Sequence, residues 1–355
     1  MWSKAKLLFA IIAHYFNLWP FLFRLAGMVQ RKPLLIIFTF HRILTTEADQ
    51  KFLQGYERGL PLADFERQIA QIASHFRIID LDKFTDIANG DFKPRSYRPL
   101  AMLTFDDADS DHLTAFDTLA QHNLPGVSFV PTGFIDTDRR FYHLRLTNIC
   151  NQLTDAQWQE IIKSDIPPPV ATILKQYVPN IKKSIQEVRR SLIPPFHQME
   201  PAARDNLITT WENRFEITYD LDISCLSWDE IIHLPRKQIA LGSHTKNHNR
   251  LTLLTQSEAL TDLIESRKEL TEKSGLEIKT ICYPEGSFDA DTPAICQKAG
   301  YDLGFTIISG LVDYPIRGDD RFLIPRVGIA SGEAYQMSYS YGVIALKNLL
   351  RGRNS

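Results

Sequence analysis

The sequence predicts an α/β fold, a parallel sheet or (β/α) barrel interrupted by a mostly helical insertion. Three observations carry that expectation. From Pro33 onward, short apolar runs that read as buried strands alternate with segments of helical spacing. The alternation lapses between about Asp136 and Asp222 and then resumes. Acidic and imidazole side chains gather directly after the apolar runs, where parallel sheets and barrels place their active sites.

In chain order, Leu34 to Phe40 is a buried strand with His41 and Arg42 at its end. Leu62 to Phe76 shows helical spacing of Phe65, Ile69, Ile72 and Phe76, and Asp64 and Glu66 near its start suit the positive end of a helix dipole. The polar, proline-bearing run Lys93 to Pro99 then bounds a strand, Leu100 to Phe105, and a helix follows around Leu113 to His122. Gly126 to Val130 is a third strand, ended by Pro131, Thr132 and Gly133. Within the insertion, which also carries Pro194-Pro195, Pro167 to Pro169 read as a turn and Asp155 to Lys163 and Ile181 to Leu192 read as helices. This segment reads as a cap over the strand tips.

Alternation resumes where Ser227 caps a helix, with Glu230 three residues on. Strand Gln238 to Leu241, helix Gln256 to Ser274, strand Ile278 to Cys282 and helix Pro293 to Ala299 follow, then strands Leu303 to Ile307 and Phe322 to Val327. The organisation expected is an apolar N-terminal segment at 1–32, one main domain at 33–330 that contains the insertion at 136–222, and a C-terminal tail at 331–355.

Composition bounds the function classes. A chain of 355 residues with 44% hydrophobic and 23% charged residues has ample material for a core and the balance of a soluble globular protein. A formal net charge of −2 and no basic patch argue against a nucleic-acid partner. Cys150, Cys225, Cys282 and Cys296 are scattered without a CxxC pair, which argues against a cysteine zinc site or a disulfide scaffold and fits a reducing, cytoplasmic location.

Leu7 to Phe23 is apolar, but His14, Asn17 and Pro20 interrupt it, Arg24 closes it, and basic residues flank both sides. It is too short and broken for a spanning helix and lacks a signal-peptide cleavage pattern. It suits an interfacial helix or one packed on the domain, so peripheral membrane contact through residues 7–23 is expected.

Two constellations carry chemistry. Asp106 and Asp107 stand together at the carboxyl end of a strand, a pair suited to one acid binding a cation while the other stays free as a base. The competing interpretation is an acidic turn capping the next helix, since Asp109 and Ser110 are good N-cap residues. His244 and His248, spaced i and i+4 after another apolar strand, are expected on one side of a helical turn, about 5–6 Å apart at Cβ. Two imidazoles and one carboxylate suit Zn²⁺ or a similar divalent ion and leave positions open for water and substrate. The alternative is a polar loop with incidental histidines, of which the chain has 10.

The segments FTFHRIL, LTFDDADSD, VSFVPTGFI, LGSHTKNHNRLT, CYPEGSFD and IPRVGI occur in an order that resembles the polysaccharide deacetylase family, the NodB-homology group or carbohydrate esterase family 4. The resemblance covers roughly Pro33 to Ile329 apart from the insertion. It implies a distorted (β/α) barrel of the NodB type with one divalent metal, zinc foremost and cobalt, nickel or manganese as alternatives. It further implies Asp107, His244 and His248 as ligands, Asp106 as catalytic base, and the backbone N–H of Tyr283, beside Pro284, as oxyanion donor.

Two departures stand out. Cys282 occupies a position where many relatives carry an arginine tied to the catalytic aspartate, and Arg326 is the candidate to supply that charge. No histidine follows His248, so the family's Leu-x-His general-acid motif is absent. His41 is a candidate for protonating the leaving group, or else a structural residue. Pro284, Arg326 and His41 are expected around the substrate.

The implied activity is metal-dependent removal of an N-acetyl (or formyl) group from an amino sugar in a surface polysaccharide or lipid-linked glycan. The alternative is a catalytically weak or silent relative that binds glycan. A free acid retained beside a metal set favours the enzyme. The insertion is expected to select substrate, and its aromatics Phe141, Tyr142, Trp158 and Trp211 suit either sugar stacking or core packing.

Overall fold

A computed structural model describes residues 18–52, 59–93, 95–177, 180–219 and 224–329, together with Gly342. Residues 7–17 of the apolar N-terminal segment, and the tail 331–355 apart from Gly342, lie outside the described residues.

The strands are β1 Leu35–Phe40, β2 Ile43–Leu44, β3 Leu60–Pro61, β4 Arg77–Ile78, β5 Leu100–Phe105, β6 Gly126–Val130, β7 Ile239–Ser243, β8 Thr280–Cys282, β9 Leu303–Phe305 and β10 Val327–Gly328. The main sheet runs β10-β1-β5-β6-β7-β8-β9, with β4 added on β5, and β2 pairs with β3 apart from it. Every ladder is parallel, and a single bridge from Phe305 to Ile324 stands between β9 and the region of β10. The result is a distorted, incompletely laddered (β/α) barrel.

Alternation along the strands divides the interior in two. Ile36, Phe38 and Phe40 of β1, with Leu103 and Phe105 of β5, pack against Phe65, Ile69 and Ile72 of helix Leu62–His75. Leu35 and Ile37, with Leu100 and Met102, join Phe129, Cys282 and Phe305 inside the barrel. Side chains of a strand point alternately to its two faces, so Thr104 and then Asp106 continue the inward series of β5. The position of Asp106 therefore follows from the register of the strand beneath it.

Two expectations are corrected here. Phe322 to Val327 is not one strand, because Gly318–Phe322 forms a 3-10 turn, Ile324 makes one bridge, and β10 is only Val327–Gly328. Pro325 lacks the N–H that a continuous ladder needs. Pro167 to Pro169 do not form a turn alone, since a helix, Pro168–Tyr177, begins within them, where proline's fixed φ suits the first helical turn. The pair Pro194-Pro195 likewise lies inside a helix, Ile185–His197.

The insertion contributes helices Tyr142–Gln152, Asp155–Lys163, Pro168–Tyr177, Ile185–His197 and Pro201–Arg214. They enclose a hydrophobic cluster of their own that includes Ile149, Trp158, Leu192, Phe196 and Trp211. Trp158 and Trp211 meet edge to face at 6.1 Å in that core, both essentially inaccessible, so neither serves as a platform for sugar. At the N-terminus, helix Leu18–Gln30 buries Trp19, Phe23 and Ala26 and leaves Phe21, Leu25, Met28 and Val29 exposed. Among the described residues no helix is long and apolar enough to cross a membrane.

Candidate active site

Strand β5 ends at Phe105, and the chain then turns sharply through left-handed backbone at Asp107 (φ 77°) and Ala108 (φ 49°). Such conformations cost energy for non-glycine residues and mark places where the surroundings impose them. The turn lets the two neighbouring carboxylates serve the same site, although a regular strand would send them to opposite faces. Asp106 remains in register, its N–H donating to the Phe40 carbonyl at 3.1 Å.

The histidine pair follows β7, but no helical turn carries it, contrary to the expectation from its spacing. Residues 244–250 are irregular, with positive φ at Thr245 (65°) and His248 (51°). Asp262, on helix Gln256–Ser274, fixes this loop by accepting from Lys246 N (2.7 Å), Asn247 N (3.2 Å) and Asn247 Nδ2 (2.8 Å). The Thr245 hydroxyl accepts from His248 N at 3.1 Å. From the other side the loop after β6 closes in, Gly133 N donating to the Lys246 carbonyl at 2.9 Å. A Cβ at residue 133 would stand 2.7 Å from that carbonyl, so only glycine permits the approach.

These turns bring Asp107 Oδ1 to 3.3 Å from His244 Nε2 and 3.0 Å from His248 Nε2. The three form a buried set whose ligand atoms lie within 4.8 Å of one another. His244 donates from Nδ1 to the Cys282 carbonyl at 2.8 Å, which leaves Nε2 turned towards Asp107 and able to serve as a ligand. Burial alone would push the Asp107 carboxyl up, yet the two imidazoles hold it well below the usual range. Two imidazole nitrogens and one carboxylate converging in a buried cluster fit a borderline divalent cation such as zinc.

Asp106 is treated differently. Burial raises its pKa, but Arg326 outweighs this, with His244 and His41 adding to the effect, and keeps it far below the ordinary carboxylate value. Arg326 Nη1 and Nη2 donate to Asp106 Oδ1 and Oδ2, both at 2.7 Å. The remaining donors of Arg326 reach Thr306 O, Thr39 Oγ1, Thr104 Oγ1 and Cys282 Sγ. Arg326 is wholly inaccessible. Arg326 is therefore shielded from the cleft and pairs with Asp106 beside Cys282 Sγ, in place of the substrate contact expected of it.

His41, at the tip of β1, places Nε2 3.8 Å from Asp106 Oδ2 and keeps 16% of its side chain accessible. Tyr283 departs from expectation. Its N–H donates to the Phe305 carbonyl at 3.1 Å across the β8–β9 ladder, and its hydroxyl donates to Phe322 O at 2.9 Å. The backbone donor assigned to it is already engaged in the sheet. Pro284 is buried beside it.

Sequence reasoning missed Glu285, whose φ of 54° is left-handed. Its Oε1 accepts from Tyr142 Oη at 2.6 Å and lies 3.3 Å from His197 Nε2, both on the insertion. An acid directly after Pro284 in the segment CYPEGSFD was the available signal. Phe141 also reaches the site, its ring 4.7 Å from that of His248. Beyond His248 a cavity of about 200 Å³ opens between barrel and insertion.

Similarity to known proteins runs to the polysaccharide deacetylases. A sequence model of that family, described as polysaccharide deacetylase, matches residues 196–304, which include His244, His248 and Tyr283 but not the aspartate pair. YxkH of Bacillus subtilis (strain 168), whose name places it among the polysaccharide deacetylases, is 24% identical over 107 residues. That stretch spans 30% of this chain and only 37% of the relative.

The fold is similar to that of the Streptococcus pyogenes deacetylase PplD, solved in complex with acetate (TM-score 0.54, 13% identity, 85% of this chain and 95% of that one). It is also similar to IcaB from Ammonifex degensii (TM-score 0.54, 15% identity, 87% and 97%). A de-N-acetylase from Aggregatibacter actinomycetemcomitans matches with a TM-score of 0.52 at 11% identity, over 86% of this chain and 99% of that one. At such identities these likenesses establish the barrel.

Proposed function

We propose that the chain is a metal-dependent hydrolase that removes an N-acyl group, in the first instance N-acetyl, from an amino sugar of a surface polysaccharide or lipid-linked glycan. The observation that carries this reading is the buried trio Asp107, His244 and His248 beside an Asp106 held ionised by Arg326. A divalent cation held by the trio, zinc foremost with cobalt, nickel or manganese as alternatives, would act as a Lewis acid on the acyl oxygen and lower the pKa of water from 15.7 to about 7.

The chain's own groups supply the rest. Asp106 accepts a proton from the attacking water, and general-base help of this kind is worth about 10²–10⁴-fold. Arg326 fixes the orientation of that carboxylate through its paired hydrogen bonds. His41, partly accessible and beside Asp106, delivers a proton to the departing amine nitrogen. The insertion covers the cleft through Tyr142 and Glu285 and presents Phe141 next to His248, which supports a role in substrate selection. The exposed apolar face of helix Leu18–Gln30 supports peripheral contact with a membrane, where lipid-linked glycans reside.

The test is incubation of the metal-loaded chain with N-acetylated oligosaccharides and lipid-linked amino sugars, followed by mass spectrometry. Loss of acyl groups from at least one member of the panel is expected. Binding of glycan without any acyl loss would instead identify a silent relative.

A further inference from the structure

The cavity between barrel and insertion is lined by Arg139, Arg140, Arg145 and Arg204 against three acids, Asp138, Asp205 and Glu212, and it reaches His248. The arginines divide into two kinds. Arg145 Nε donates to Glu212 Oε1 at 2.9 Å, and Arg204 Nε donates to Asp205 Oδ1 at 3.1 Å, so both are neutralised by carboxylates. Arg139 and Arg140 are not. Arg139 Nη1 donates to Gly133 O (3.1 Å) and Asn247 Oδ1 (3.0 Å), and Arg140 Nη1 donates to Asp138 O (3.0 Å), all uncharged acceptors. The Nε of Arg140 is buried and has no hydrogen-bond partner.

Each of the two guanidiniums lies over an aromatic ring, Arg139 over Phe134 at 4.4 Å and Arg140 over Tyr219 at 4.3 Å. A guanidinium carries five N–H donors in a rigid fork that matches carboxylate and phosphate oxygens. The ring contacts restrain both groups, and the Nε of Arg140 remains a donor with no acceptor. Burial lowers the pKa of Arg139, and the carboxylates of Asp205 and Asp262 oppose that shift.

We propose that this cavity is a subsite for an anionic substituent, a carboxylate or a phosphate ester, carried by the glycan and bound by Arg139 and Arg140. The inference rests on the deacetylase reading for the placement of the acylated sugar at His248. It adds the substrate class: an acidic saccharide, or a sugar joined to phosphate. A neutral homopolymer would leave both cations without an anionic group in contact.

Calorimetry on the full metal-loaded chain tests it with N-acetylglucosamine, N-acetylglucosamine 1-phosphate and glucuronate as probes. An anionic probe should bind at least about tenfold more tightly than the neutral sugar, with an advantage that falls as salt rises. The double variant Arg139→Gln, Arg140→Gln should lose that advantage, while Arg139→Lys, Arg140→Lys should retain part of it and guards against misfolding. Preference for the phosphate ester alone identifies a phosphate-linked sugar, and preference for glucuronate an acidic glycan. Equal affinity for neutral and anionic probes, or an anion preference that survives the glutamine pair, overturns the proposal. Because the readout is binding, it stands apart from acyl release, whose absence would count against the deacetylase reading alone.

Discussion

Arg326 and Asp106, far apart in sequence, form a fully buried fork-to-fork pair with two bonds of 2.7 Å. The pair sets the protonation state of the proposed base. Because the folded pKa of Asp106 is depressed, its contribution to stability is present above the unfolded carboxylate value of about 3.9 and is lost as pH falls towards the folded one. Without Arg326, burial becomes the dominant influence and the carboxyl rises. In Arg326→Met the acidic limb of the kcat/KM profile should therefore move to higher pH. Arg326→Lys, which keeps a charge, should move it less. An unshifted limb in the folded Met variant would show that Arg326 does not govern Asp106. Removing one partner of a buried pair should also destabilise the fold by about 3–5 kcal/mol, read by denaturant titration.

The two aspartates should separate on substitution. Asp106→Asn is expected to keep metal and lose about 10²–10⁴-fold in kcat, the range of general-base assistance. Asp107→Asn is expected to lower metal content first, because its Oδ1 lies between the two imidazoles. Elemental analysis beside steady-state kinetics checks the pair, and equal loss of metal in both variants would contradict the division of roles.

His244→Ala and His248→Ala should each reduce bound metal and activity together. His244 should be the more sensitive to its support, since its ring is oriented by the Cys282 carbonyl. Outer partners of this kind typically affect metal affinity by about 10–100-fold. Asp262→Ala, which unties the loop without touching a ligand, should therefore weaken metal binding while leaving all three ligands in place.

The insertion should behave as a separable element. Trp158→Ala removes the centre of its own hydrophobic cluster and should cost about 3–5 kcal/mol, measured by denaturant unfolding. Replacing residues 136–222 with a brief linker should change which glycans are accepted while metal binding persists. Unchanged substrate preference in a folded variant of this kind would remove the insertion from substrate selection.

Much of the barrel was legible because its signals are local. The apolar runs at β1, β5 and β6 and the Ser227–Glu230 capping box appear where spacing and turn residues put them. The clustering of Asp107, His244 and His248 was legible from their position at strand exits and from resemblance. The conformation of the histidine loop was not, because i, i+4 spacing suits a helical turn and the left-handed residues Thr245 and His248 are imposed by Asp262, a distant partner. The burial of Arg326 and the engagement of the Tyr283 N–H with Phe305 depend on pairings across the barrel that no local pattern encodes. Short elements such as β4 and the helix Leu81–Asn89 escaped for a simpler reason: a two-residue strand and a nine-residue helix carry little periodicity.

The most direct test of the central claim is acetate release from N-acetylated glucosamine oligomers and lipid-linked amino sugars by the full chain, stripped of metal and then reloaded with zinc. The account predicts no release from the stripped chain, release on reloading with about one ion per chain, and none from reloaded Asp106→Asn. Release that is indifferent to metal, or full zinc occupancy in a folded variant lacking both His244 and His248, would contradict it.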